Sequence, residues 1–383
     1  MQAALAMRTH RTLGVLFAAL AACSPSQRQP GTGNAPDAAV TAICGDGILQ
    51  APETCDPPSA CPLSCPAMTC TTGSIVGSPF TCDVHCTNTP VSVCASGDGC
   101  CPTGCTAAID SDCQGIRLDA YYASSYRLRD LGPVPGLPTS YGGVNVHPTD
   151  PMKLVIGGSA NGEEGALYEI GIMRDEHRHI LGFSGTATRI AEAAYNDGSI
   201  LHGPGGVMFL TRWPVNEMGF LKPGSTMTDK IIPLEPMGVA ESVASAAFTP
   251  PGIELGSLKM VSWEGGEWYS AAYAPDATGT FDISMVMHVL TLPGGPEGIV
   301  YVPANSPLFP VQSLLVSEFS ADVVTTYEVN LSGDPIPGTR RLFVINLNGA
   351  EGAAIDPSSG DFMFSTFGDH DRLIVVSGFA PVR

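Results

Sequence analysis

The sequence predicts an all-β chain, a five-bladed β-propeller preceded by a small disulfide-rich module. Three observations lead there. Apolar runs are short and β-rich, and Gly (44) and Pro (33) interrupt them throughout. A strand–Pro–turn–strand unit recurs about every 50 residues in the C-terminal two thirds, which suits one four-stranded blade. Twelve of the 13 cysteines crowd between Cys44 and Cys113, and the 270 residues beyond have none.

The repeat organises residues 116–383. Runs such as Lys153–Ile156, Val207–Leu210, Leu258–Val261, Leu314–Val316 and Phe362–Phe364 read as strands, and sustained helical periodicity is missing. The units end at Pro148, Pro204, Pro250, Pro303 and Pro357, spaced 56, 46, 53 and 54 residues apart. A proline closing a strand sits where no ladder N–H is lost. Each unit is preceded by a further strand-like run: Tyr126–Leu131, Thr188–Ala191, Lys230–Leu234, His288–Leu292 and Arg341–Leu347. The first of these precedes the first marker proline, while the last unit lacks an outer strand. Tyr126–Leu131 is therefore expected to complete the last blade and close a five-bladed ring. A six-bladed ring is the alternative.

The N-terminal third is built differently. Residues 1–22 contain no acid, carry Arg8 and Arg11, and then run apolar from Leu13 to Leu20, the pattern of a secretory signal. That run is about half of the roughly 20 residues a membrane span needs. Leu20-Ala21-Ala22-Cys23 resembles the bacterial lipobox, which implies acylation of Cys23 as the first residue of the mature chain. Loss of Arg8 and Arg11 would take the formal net charge from −19 to −21. So acidic a chain is a poor ligand for nucleic acid. Residues 23–43 read as a lipidated flexible tether. The expected location is the cell envelope, outer membrane or cell surface, with the membrane as partner through the lipid and an extracellular ligand for the propeller.

Residues 44–113 contain no Lys or Arg and few large apolar groups, so they need covalent staples to fold. With Cys23 lipidated, an even twelve remain: Cys44, Cys55, Cys61, Cys65, Cys70, Cys82, Cys86, Cys94, Cys100, Cys101, Cys105 and Cys113. Export predicts that they pair as disulfides. Zinc on Cys61, Cys65, Cys70, Cys82 and Cys86 is the alternative, at irregular spacing. Cys44-Gly45-Asp46-Gly47, Glu53-Thr54-Cys55-Asp56, Gly99-Cys100-Cys101-Pro102 and Asp110-Ser111-Asp112-Cys113 resemble the Cys-rich repeats of myxobacterial surface proteins. That resemblance implies an extracellular spacer.

Residues from about 118 to 381 resemble the extracellular domain of bacterial PEP-CTERM sorting-domain proteins. The resembling stretches include Gly157–Asn161, Gly182–Thr188, Gly203–Val207, Pro293–Ile299, Leu315–Glu318 and Gly349–Gly352. The resemblance implies a propeller-like fold and no particular activity. The chain ends at Arg383 without that family's sorting tail.

Chemistry is sparse. Glu297 and Glu351 each lie six residues before a marker proline and are each followed by Gly, so the repeat brings them to one structural position at the channel entrance. Asp197 and Glu241 align more loosely with it. Clustered carboxylates suit a hard cation, Ca²⁺ as cofactor. Their structural reading is capping of backbone N–H groups. His177 with His179, and Asp369-His370-Asp371, read as exposed turns; Trp263, Trp268 and Tyr269 read as strand packing or a sugar-stacking face. No Gly-x-Ser-x-Gly, His-Glu-x-x-His or phosphate-binding loop is present, so no catalytic residue is named. The expectation is a lipid-anchored binding module. The alternative is a metal-dependent, lactonase-like hydrolase using the channel carboxylates.

Overall fold

The computed structural model describes residues 42–65, 71–95, 102, 105, 109–110, 115–251, 253, 257–368 and 371–382. The signal segment, Cys23, most of the tether, Cys70, Cys100, Cys101, Cys113, Asp369 and His370 lie outside the described residues.

Five antiparallel sheets form the blades, each starting at the channel with the strand that leads to a marker proline. The inner strands are Val144–Val146, Asn196–His202, Val243–Phe248, Pro296–Tyr301 and Ala350–Ile355. The outer strands of blades one to four are Ile180–Glu192, Lys230–Pro233, Phe281–Thr291 and Arg341–Ile345. Blade five takes its fourth strand from the other end of the chain. Arg127–Asp130 pairs with Leu373–Ser377, Arg127 opposite Ser377 and Asp130 opposite Ile374. The expected ring closure and blade number are thus found. One strand was not expected: Arg117–Leu118 adds to the edge of blade four, opposite Val344 and Ile345. Two residues are too short a run to carry a periodic signal.

Buried strands explain the unbroken apolar runs, because both faces of a blade pack on neighbours. Leu154 and Ile156 join blade five across one seam, while Val155 between them joins blade two across the next. Phe362 and Phe364 face blade four, and Met363 faces blade one. Five hydrophobic clusters result, one for each seam. The seam between blades four and five is the most aromatic, and Tyr122 and Tyr126 from the closing segment fill it beside Phe309, Phe343 and Phe379. The Tyr126 hydroxyl donates to the Pro307 carbonyl. The sequence reading of Trp268 and Tyr269 as strand packing holds: both are buried.

In the Cys-rich region the described bridges are Cys44–Cys82, Cys55–Cys61, Cys65–Cys86 and Cys94–Cys105. Cys61, Cys65, Cys82 and Cys86 are therefore not zinc thiolates. Asp56 lies beside the Cys44–Cys82 bridge and accepts from the Gly45 and Gly47 N–H groups.

Candidate cation site in the propeller channel

The inner strands pair with their neighbours in a common register. Asn196 faces Arg212, Val243 faces Ser262, Pro296 faces Glu318 and Ala350 faces Thr366, and a register shift follows each pair. Such a shift re-aims the next side chain. That next position reads Asp197, Ala244, Glu297 and Glu351. In blade one it is Gly142, two residues ahead of Val144 as Glu297 is two ahead of Ile299. Three of the five blades thus send a carboxylate to one level of the channel.

The residue after each acid is glycine for a steric reason. A Cβ on Gly298 would lie 2.4 Å from the Glu351 carbonyl oxygen, and one on Gly352 would lie 2.7 Å from the Gly143 Cα. Neighbouring inner strands approach too closely there for any side chain. The Asp/Glu-Gly pair is therefore a crowded ring of backbone with an acid beside it.

Asp197, Glu297 and Glu351 are only 1%, 5% and 1% exposed, and one oxygen from each lies within 4.8 Å of the other two. The Asn161 amide donates to Asp197 Oδ1 (2.9 Å). Asp197 Oδ2, Glu297 Oε2 and Glu351 Oε1 accept from no N–H or hydroxyl donor among the described residues, and the Asp197 and Glu351 carboxyls lie close enough to share a proton in a hydrogen bond. Capping of a backbone N–H is found at Asp197, whose carboxylate accepts from Gly198, but these three oxygens are left over from it. Burial, and for the two glutamates also the neighbouring charges, holds all three carboxyls above the usual range. Asp197 is pushed up to about 7, chiefly by burial. Three carboxylates this close either share protons or share a cation.

Two expectations need correction. The carboxylates lie buried within the channel rather than at its entrance. Glu241 is exposed and does not join them, because it lies three residues ahead of Ala244, which occupies its blade's equivalent position. Asn161 was missed, since it comes from a hairpin of blade one with no repeat to mark it.

Other candidates resolve as structure. His177 is exposed, but His179 is not a bare turn residue: its Nδ1 lies 2.6 Å from Asp361 Oδ1, and Asp361 Oδ2 accepts from the Ile180 N–H at 2.7 Å. Arg174 bonds Asp356 nearby. Together they clasp blade one to blade five. Asp371 accepts from the Ser140 N–H (2.6 Å).

No protein-family model matches the sequence, and no curated protein is similar to it at a significant level. Solved structures resemble it in fold at low similarity. A putative 6-phosphogluconolactonase from Bacteroides uniformis is 11% identical with a TM-score of 0.35, over 62% of this chain and just under two thirds (66%) of that one. A gluconolactonase from Xanthomonas campestris is 13% identical with a TM-score of 0.39, over 70% of this chain and 95% of that one. The PQQ-bound aldose sugar dehydrogenase of Streptomyces coelicolor is 15% identical with a TM-score of 0.35, over 68% and 87%. At such values the likeness concerns fold alone.

Proposed function

We propose that this chain is an exported lipoprotein, acylated on Cys23, whose disulfide-rich segment spaces a propeller that acts as a binding module with a divalent cation in its channel. The carrying observation is the set of three buried, mutually close carboxylates from blades two, four and five, with one oxygen on each that accepts from no N–H or hydroxyl donor. A hard cation such as Ca²⁺ takes oxygen ligands of this kind. It would bridge three blades and remove the repulsion among their acids. A hydrolytic metal needs an open position for water and substrate. The low exposure of all three acids favours a structural or ligand-organising ion over a catalytic one.

The test is calorimetry and thermal melting of the chelator-treated protein with CaCl₂. The expected result is saturable binding and a stabilisation of about 2.7 kcal/mol at a hundredfold excess over Kd. Both should vanish in the Glu297→Gln/Glu351→Gln variant. An equal shift in parent and variant would place the ion elsewhere and overturn the reading. Turnover of lactones or esters by the metal-loaded protein, lost in the same variant, would replace the binding module with the hydrolase. Acylation of Cys23 is read separately, by the mass of the native N-terminal peptide.

A further inference from the structure

The residue just beyond the second strand of each blade forms another equivalent set. It is Trp213 after Arg212, Trp263 after Ser262, Phe319 after Glu318 and Phe367 after Thr366, with Ser159 after Gly158 in blade one. Their backbones follow one rule. The N–H of each aromatic donates to the carbonyl two residues before the acid level of its own inner strand: Tyr195 (3.0 Å), Ser242 (3.2 Å), Gly295 (2.9 Å) and Gly349 (2.9 Å). The four aromatics therefore lie on the same face, about 7 Å up the inner strands from the carboxylates.

The rings touch in blade order. Centroids are 6.0 Å apart for Trp213 and Trp263, 6.1 Å for Trp263 and Phe319, and 6.3 Å for Phe319 and Phe367. In a five-fold ring such spacings put each centroid about 5 Å from the axis. The interplanar angles of 87°, 83° and 63° set successive rings edge-on to one another. All four are half-buried. They form an aromatic collar over the channel, open at Ser159.

Charge on this face selects the ligand. The hairpins that carry the collar and its gap also hold Glu163, Glu164, Glu264 and Asp322, and Asp197, Glu297 and Glu351 lie below. Arg372, the cation among the hairpins' described residues, lies 2.5 Å from Asp130. Arg212 is bound to Glu217, and Arg340 to Glu318.

We propose that the collar of Trp213, Trp263, Phe319 and Phe367 binds an organic ammonium group on the channel axis above the carboxylates. A cation on the axis would lie about 5 Å from each centroid, within the roughly 6 Å over which the face of an aromatic ring attracts positive charge, and Glu163, Glu164, Glu264 and Asp322 around the collar add long-range attraction. The proposal deepens the binding-module reading by naming the ligand class, and it does not require the metal ion.

The probe is tetramethylammonium chloride, titrated into the full chain against a matched NaCl series by calorimetry and tryptophan fluorescence. Two of the chain's three tryptophans are in the collar, and Trp268 is buried elsewhere. Expected is saturable binding with a fluorescence change, about tenfold weaker in Trp263→Leu and in Trp213→Leu, and largely restored in Trp263→Phe. Equal binding of the neutral isostere neopentyl alcohol would overturn the proposal, because an apolar cavity alone would explain it. Binding of methyl glucoside or cellobiose without tetramethylammonium would also overturn it; a sugar hydroxyl could accept from the indole N–H of Trp263, which is buried without a partner. No binding by a parent and a Trp263→Phe variant that both melt cooperatively would do the same. Ca²⁺ response is measured on the same samples: its loss with ammonium binding retained defeats only the ion reading, and the converse defeats only the collar.

Discussion

Among the described residues from 44 to 105 the buried apolar cluster amounts to Cys55, Cys61 and Val84, while Leu63 is 92% and Phe80 89% exposed. Four described disulfides hold what packing does not, closing loops of 6 to 38 residues. In residues 117–377 there is no cysteine, and each of five seams has its own buried cluster. One region is ordered by covalent bonds that restrict its unfolded state, the other by apolar area removed from water. The contrast follows from composition. A segment with few large apolar residues cannot offset its conformational entropy by burial, whereas strands buried on both faces can.

The comparison is sharpened most by removing the propeller's closure. Deletion of residues 117–130 takes away the fourth strand of blade five and the edge strand of blade four, together with Tyr122 and Tyr126. Loss of the two tyrosines alone should cost on the order of 6 kcal/mol, and the bared strands favour aggregation. Light scattering and calorimetric melting should show no cooperative transition. A variant that melts like the parent would mean that closure does not hold the ring.

A smaller break tests a seam. Lys259 of blade three is fully buried and donates to Asp334 of the blade-four loop at 2.8 Å, where the Trp268 Nε1–H also donates at 3.0 Å. Asp334→Ala leaves an unpaired buried ammonium and should cost about 3–5 kcal/mol in urea unfolding. The Lys259→Met/Asp334→Ala pair should recover much of that loss, since an apolar pair leaves no charge to desolvate. Failure to recover would make packing around Asp334, rather than its charge, the source of the loss.

The smallest expected effect is on the propeller after reduction. Dithiothreitol should unfold residues 44–95, seen as rapid amide exchange there, and leave the propeller's melting transition within about 1 °C of the oxidised protein, because no bridge supports a seam. Alkylation before reduction should leave Cys44, Cys55, Cys61, Cys65, Cys82, Cys86, Cys94 and Cys105 unmodified. A large fall in the propeller transition would show that the two regions are not independent.

Much of this fold was legible in the chain because it repeats. The marker prolines, the apolar runs between them and the unpaired run Tyr126–Leu131 pointed to five blades and to the closure, since a blade without a fourth strand must find one, and left a sixth blade as the alternative. The Glu-Gly pairs at 297 and 351 were visible for the same reason, and crowding of the inner strands explains the glycines. The choice between Asp197 and Glu241 was not visible. It depended on a shift in strand register, which spacing from a proline does not resolve. Nor were Asn161, the His179–Asp361 clasp or the aromatic collar. Trp213, Trp263, Phe319 and Phe367 are 50 or so residues apart and sit in hairpins without a shared motif. Sequence settled most of the blade strands, because strands buried on both faces read as short continuous apolar runs between Gly and Pro. Which side chains meet on the axis was decided by the ring, since only its closure brings five distant hairpins within 6–7 Å of one another.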